Sequence, residues 1–191
     1  MKKITLAALA LFGLIFSAKA QIQKGNVLIG GDLANLQLGL DNPTSFTGTL
    51  SPRAAWFIKD NVALGGYASF GVGTTKGKGT DVNYGIGALG RIYSGAGTEI
   101  VKHGRFFGEA NVGFEGDNPI AGGSTNGLGF GVGPGFAYFV TPSIGLETLL
   151  KYNGIVGFGG NTYTNNLSLN FGFQVYLPGK ATARKVRNDV K

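Results

Sequence analysis

The stretch Pro52-Arg53-Ala54-Ala55-Trp56-Phe57-Ile58-Lys59-Asp60-Asn61-Val62-Ala63-Leu64-Gly65 reads as a strand, a tight turn and a second strand. On either side of Lys59-Asp60-Asn61 the side chains alternate, so Trp56 and Leu64 share one face while Arg53 and Phe57 share the other. The chain uses this hairpin twice. Pro134-Gly135-Phe136-Ala137-Tyr138-Phe139-Val140, followed by Ile144 and Leu146, aligns with it without a gap. One hairpin repeated once is not a solenoid period. Trp56 and Tyr138 hold equivalent outward places just before the turn, where an aromatic girdle would meet a membrane interface. Pro52 and Pro134 cannot donate to a strand ladder, and their equivalent placement predicts a shared bulge.

Working outward, the same period of two recurs in eight segments, near 26–38, 46–58, 61–73, 82–93, 105–116, 127–140, 143–154 and 166–177. No helical pattern of useful length separates them. Lys59-Asp60-Asn61 and Thr141-Pro142 are tight turns, whereas Asp41-Asn42-Pro43, Lys76-Gly77-Lys78-Gly79, Asp117-Asn118-Pro119 and 161–165 suit longer polar loops. Short turns at one end and longer loops at the other predict an all-β fold. The expected architecture is an eight-stranded antiparallel up-and-down transmembrane barrel. The connection from Ser94 to Gly104, about eleven residues, is too long for this rule.

With the apolar residues outward, seven charges fall inward: Asp32, Arg53, Arg91, Glu109, Glu115, Glu147 and Lys151. Unpaired buried charge is expensive, so this mixture predicts a hydrogen-bonded plug in a barrel just wide enough for side chains to fill it. For Asp32, Glu115 and Lys151 a wet position near a barrel end is the alternative. Glycine, 35 of 191 residues, is abundant on the inward parity at Gly85, Gly87, Gly129, Gly131 and Gly133. There it leaves room for large inward side chains such as Phe57, Tyr67, Phe107, Phe139 and Tyr176.

The N-terminus reads as an address. Lys2-Lys3, an apolar run from Ile4 to Phe16 and Ala18-Lys19-Ala20 form a secretory signal with cleavage expected before Gln21. The expected organisation is a signal peptide over 1–20, a barrel over 21–177 and a basic periplasmic tail over 178–191. No later stretch approaches the roughly 20 apolar residues of a transmembrane helix. The formal charge of +7 is concentrated at the two ends of the chain; from Lys24 to Leu177 nine bases face nine acids. That distribution argues against a nucleic-acid groove.

These features together resemble the small bacterial outer-membrane β-barrel domain family, with OmpX- and OmpA-like barrels as relatives. The resemblance rests on residues 52–65 and on Gly90-Arg91-Ile92-Tyr93 followed by Phe106-Phe107-Gly108-Glu109-Ala110. It rests also on the closing strand from Asn170 to Leu177, where Asn170, Gly172, Val175 and Leu177 are similar to the signal read by the barrel assembly machinery. Two departures stand out: the strand ends in Leu177 where the family usually has Phe, and a polar tail follows. The resemblance implies residence in the cell outer membrane of a Gram-negative bacterium, with outer-membrane lipid and the assembly machinery as partners. It implies no single activity.

Enzyme signatures are weak. Gly85-Ile86-Gly87-Ala88-Leu89-Gly90 matches the dinucleotide fingerprint but lies inside an alternating strand, and residues 73–80 fail the phosphate-loop spacing. The single histidine, His103, falls in a turn beside Lys102 and Arg105, and the chain has no cysteine. Glu109 and Glu147 have Arg53, Arg91 and Lys151 on the same parity, which favours ion pairing over a catalytic carboxylate pair. The sequence therefore predicts no catalytic, metal or cofactor site. It predicts a closed structural or interaction barrel that presents extracellular loops. The alternatives are a narrow OmpW-like channel for small or apolar solutes and a secreted lipocalin-like carrier. The inward charges argue against the carrier.

Overall fold

The computed structural model describes residues 22–39, 45–95, 103–120, 123–158 and 163–179. The expected signal peptide, the tail from residue 180 and the centre of the 94–104 connection lie outside the described residues. Eight strands follow one another: β1 (Val27–Gly39), β2 (Ser45–Lys59), β3 (Val62–Thr75), β4 (Gly79–Tyr93), β5 (Gly104–Asn118), β6 (Thr125–Thr141), β7 (Ile144–Gly157) and β8 (Tyr163–Leu177). Each pairs with its neighbours, and β8 returns to β1, so the sheet is a closed antiparallel barrel. The seam runs from Val27↔Leu177 to Ala34↔Asn170. Closure leaves no edge strand to pair with another chain.

We name the two ends by their connections. The turn end holds the tight turns after β2 and β6, the connection from β4 to β5 and both ends of the described chain; the loop end holds the other connections. The strands reach further toward the loop end than hydrophobic alternation indicates, because Thr, Asn and Gly there still make ladder bonds. One expected long loop is consequently a hairpin. Thr75 pairs with Gly79, only residues 76–78 are unpaired, and Lys78 N–H donates to the Thr75 carbonyl at 2.9 Å. Gly77 (φ 78°) and Gly79 (φ 122°) supply the left-handed backbone that so short a turn needs.

The proline expectation is corrected. Register is unchanged across Pro52, from Leu50↔Phe70 to Arg53↔Tyr67, and across Pro134, from Val132↔Tyr152 to Gly135↔Leu149. Each proline drops rungs of one ladder without inserting a residue, since the flanking rungs hold the strands in step. The shared bulge lies instead next to the turns, between Phe57 and Lys59 and between Phe139 and Thr141. After the first of these, Asn61 takes φ 63°, a conformation that asparagine tolerates.

Period two sorts the side chains. Outward, every strand exposes large apolar residues, among them Leu33, Leu50, Leu64, Ile86, Val112 and Leu167. Inward, near the turn end, Leu28, Phe57, Tyr93, Phe107, Leu149 and Tyr176 form a buried cluster. Residues 22–26 cross beneath it. Ile22 packs on the cluster, and Asn61 N–H donates to its carbonyl at 2.9 Å.

Candidate functional site

The functional interest lies in the lumen, above the aromatic cluster. β4 and β5 bring Arg91 and Glu109 directly opposite each other, and β2 places Arg53 across from Gly30 of β1. Arg91 Nε donates to Glu109 Oε2 at 2.6 Å and its Nη1 to Glu147 Oε2 at 2.7 Å. Arg53 Nη1 donates to the same Glu109 oxygen at 2.5 Å, and its Nη2 pairs with Asp32. Lys151 Nζ reaches Glu109 Oε1 at 3.4 Å from the loop side. Glu109 is thus the hub, holding two guanidiniums and one ammonium. Except for Lys151, every member of these pairs is almost wholly buried.

Neutral groups complete the lattice. Tyr176 O–H donates to Glu147 Oε1 at 2.7 Å, and Arg91 Nη1 donates to the Tyr93 hydroxyl at 3.1 Å. Gln174 Nε2 donates to Asp32 Oδ1 at 3.2 Å. Arg91 Nη2 has no hydrogen-bond acceptor, but the guanidinium carbon stands 4.5 Å from the centre of the Phe107 ring. That contact offsets part of the desolvation cost. Glycine makes the space: a Cβ on Gly172 would lie 2.3 Å from Asp32 Oδ1, and one on Gly131 2.5 Å from Lys151 Cε.

Toward the loop end the lumen widens into a polar cavity of about 160 Å³. Arg53, Glu109 and Lys151 form its floor, and Ser69, Asn153 and Ser168 are among its walls. Glu115 stands on this wall, where Tyr67 donates to its Oε1 at 2.5 Å and Asn111 donates to the Tyr67 hydroxyl at 2.9 Å. The seven charges read from the sequence therefore occupy two levels. Asp32, Arg53, Arg91, Glu109 and Glu147 form a buried layer, Lys151 touches it from above, and Glu115 belongs to the cavity. Alternation alone did not single out Tyr93, Asn111 and Gln174 as polar partners, although each lies on the inward parity of its strand.

Trp56 (57% exposed) and Tyr138 (42% exposed) point outward at the turn end. His103, exposed beside Tyr138 with ring centres 6.4 Å apart, is remote from the lumen. In β8, Asn170 lines the cavity and Leu177 faces outward at the turn end. Among the described residues no cluster of His, Cys, Asp or Glu has the makings of a metal site.

No protein-family model and no curated protein matches the chain. Solved structures do. Neisserial surface protein A is 19% identical, with 80% of this chain and 96% of that one covered and a TM-score of 0.48. OprG, an outer-membrane protein of Pseudomonas aeruginosa, is 11% identical over 81% of this chain and 98% of its own, with a TM-score of 0.45. PagL, titled an outer-membrane enzyme, is 13% identical over 78% and 98%, with a TM-score of 0.42. The architecture described above rests on this chain's own strand pairing. Its fold does not exclude enzymatic function.

Proposed function

We propose that this chain is an integral outer-membrane barrel, closed to solute flow, whose rigid body presents polar loops on one side of the membrane. The observation that carries the reading is the pairing of an apolar outer face on all eight strands with a lumen sealed at one end. In water such a surface would be a large uncovered patch; in lipid it is the required exterior. The polar backbone is satisfied by closure, the condition for crossing hydrocarbon with strands. The lumen is closed by the ion network, the aromatic cluster below it and Ile22 beneath that. On this reading the closing strand, with Asn170, Gly172, Val175 and Leu177, carries the assembly signal, and Trp56 and Tyr138 anchor the girdle.

The second reading, a narrow channel for small or apolar solutes, is favoured by the polar cavity at the loop end. Conductance separates the two. The chain from residue 21 onward would be refolded, checked by heat-dependent gel mobility and placed in a planar bilayer. A closed barrel gives no steps. Discrete, reproducible steps would overturn it in favour of the channel.

A further inference from the structure

The walls of the loop-end cavity use their polar groups unequally. On β7 and β8, Asn153 Nδ2 donates to Ser168 Oγ and to Asn166 Oδ1, each at 3.0 Å, so these side chains spend bonds on one another. On β2 and β3, Thr49, Ser51 and Ser69 also line the cavity, but their hydroxyls take no partner among the described residues. Gly85 pairs with Ser69 on one side and with Glu115 on the other. A Cβ on Gly85 would stand 2.7 Å from Ser69 Oγ and 2.9 Å from Glu115 Cγ, so glycine leaves room for both groups at the cavity wall. The floor has spare donors as well. Lys151 Nζ makes one hydrogen bond among the described residues, the 3.4 Å contact to Glu109, and Arg53 Nε has no acceptor.

Charge narrows what could use these groups. The network balances Asp32, Glu109 and Glu147 with Arg53, Arg91 and Lys151, and Glu115 stands beside it with Tyr67 as its donor. An anion in the cavity meets Asp32, Glu109 and Glu115, and a cation meets Arg53 and Lys151. A hydroxyl group has no such conflict, because it donates and accepts at once. We infer that the cavity is a dead-end binding site for a small neutral polyol, entered from the loop end. The inference rests on the closed-barrel reading above. Ligand hydroxyls donate to Glu115 and accept from Lys151, while Ser51 and Ser69 bond to them in either sense. A cavity of about 150 Å³ encloses a molecule the size of benzene. The 160 Å³ found here therefore suits roughly six to eight heavy atoms, the range from glycerol to erythritol.

The chain from residue 21 onward would be labelled with nitrogen-15 and refolded in micelles of lauryldimethylamine oxide, a detergent without a sugar headgroup. Erythritol would then be titrated while the side-chain amide signals of Asn83 and Asn170, on the cavity wall, are followed by NMR. We expect saturable shifts there, with half-saturation at about 10 mM or below for so small a ligand, and none at Asn61 beside the turn end. Sodium acetate and methylammonium chloride at the same concentrations should not reproduce them. Ser51→Ala with Ser69→Ala removes two hydroxyls that hold nothing in the protein. That variant should keep the heat-dependent gel shift and bind about tenfold more weakly. Absence of saturable shifts would overturn the site and leave the cavity to water. Undiminished binding in the double variant would also overturn it, as would tighter binding of glycine or serine, which would assign the cavity to a zwitterion. Vesicles carrying the protein should swell in erythritol no faster than lipid alone. Faster swelling would instead overturn the closed barrel, and the dead end with it.

Discussion

Below the ion network the lumen is filled by rings: Tyr93 and Phe107 stand 5.4 Å apart, and Phe139 and Tyr176 5.1 Å apart. Above it, the wall contributes Ser69, Asn153, Ser168 and Asn170 around a cavity. The alternation is identical in both halves. What differs is whether an inward side chain has to find every partner inside the protein or can leave some of its bonds to water. The lower half is a packed core with a charged lid; the upper half is a cup. Substitutions of similar chemistry should therefore have unequal costs at the two levels, and that inequality is open to test.

The largest effect is expected at the lid. Arg91→Ala leaves Glu147 without its one cation among the described residues and removes one of the three from Glu109, in a site excluded from water. Breaking a buried pair by removing one partner costs about 3–5 kcal/mol. Urea unfolding of the refolded barrel in detergent micelles, followed by Trp56 fluorescence, checks this. A loss below about 1 kcal/mol would mean that water reaches Glu147 and that the lower half is not dry.

Adding a single methyl on the inner wall contrasts the halves directly. A Cβ on Gly135 would stand 2.3 Å from Cζ of Phe107, a ring held between Arg91 and Tyr93 and without room to withdraw. Gly135→Ala should cost about 1–3 kcal/mol, the usual range for overpacking. A Cβ on Gly129 would come equally close, 2.3 Å, to Cδ of Glu115, but that side chain borders the cavity and can swing into it. Gly129→Ala should cost about 1 kcal/mol or less. Equal losses in the same unfolding experiment would erase the distinction between core and cup.

The barrel and its two faces were legible because the period of two is strict. Residues 52–65 and their echo at 134–147 fix a strand–turn–strand unit, and the parity of Arg53, Arg91, Glu109 and Glu147 follows from counting. Height along the barrel was not legible. Glu109 and Glu115 share a strand and a parity, yet one is a buried hub and the other lines a cavity. That difference depends on how far β4, β5 and β6 are staggered, and alternation does not encode stagger. The bulges were misplaced for a related reason. Proline announces a missing donor, whereas the extra residue beside each tight turn is an ordinary Ile58 or Val140. The polar flanks of the Lys76–Gly79 connection resemble loop in the sequence, although their backbone still pairs. Polarity reports contact with water, and strand pairing continues past the level at which the wall becomes polar.

The smallest effect should come from the one network member that belongs to the cup. Lys151 meets Glu109 at 3.4 Å, the longest contact of the network, and its side chain is 11% exposed where the others are at most 3%. Lys151→Met keeps much of the stem that packs beside Gly131 and removes only the ammonium. Glu109 retains both guanidiniums, so no buried carboxylate is left alone, which is the circumstance that makes Arg91→Ala costly. The expected loss is about 1 kcal/mol, comparable to a partly solvated ion pair. It should shrink further as salt rises, whereas the Arg91→Ala loss should not, because screening acts only where ions can enter. If Lys151→Met proved as costly as Arg91→Ala and equally indifferent to salt, the cup would be as dry as the core beneath it. The lumen would then be one continuous plug from end to end.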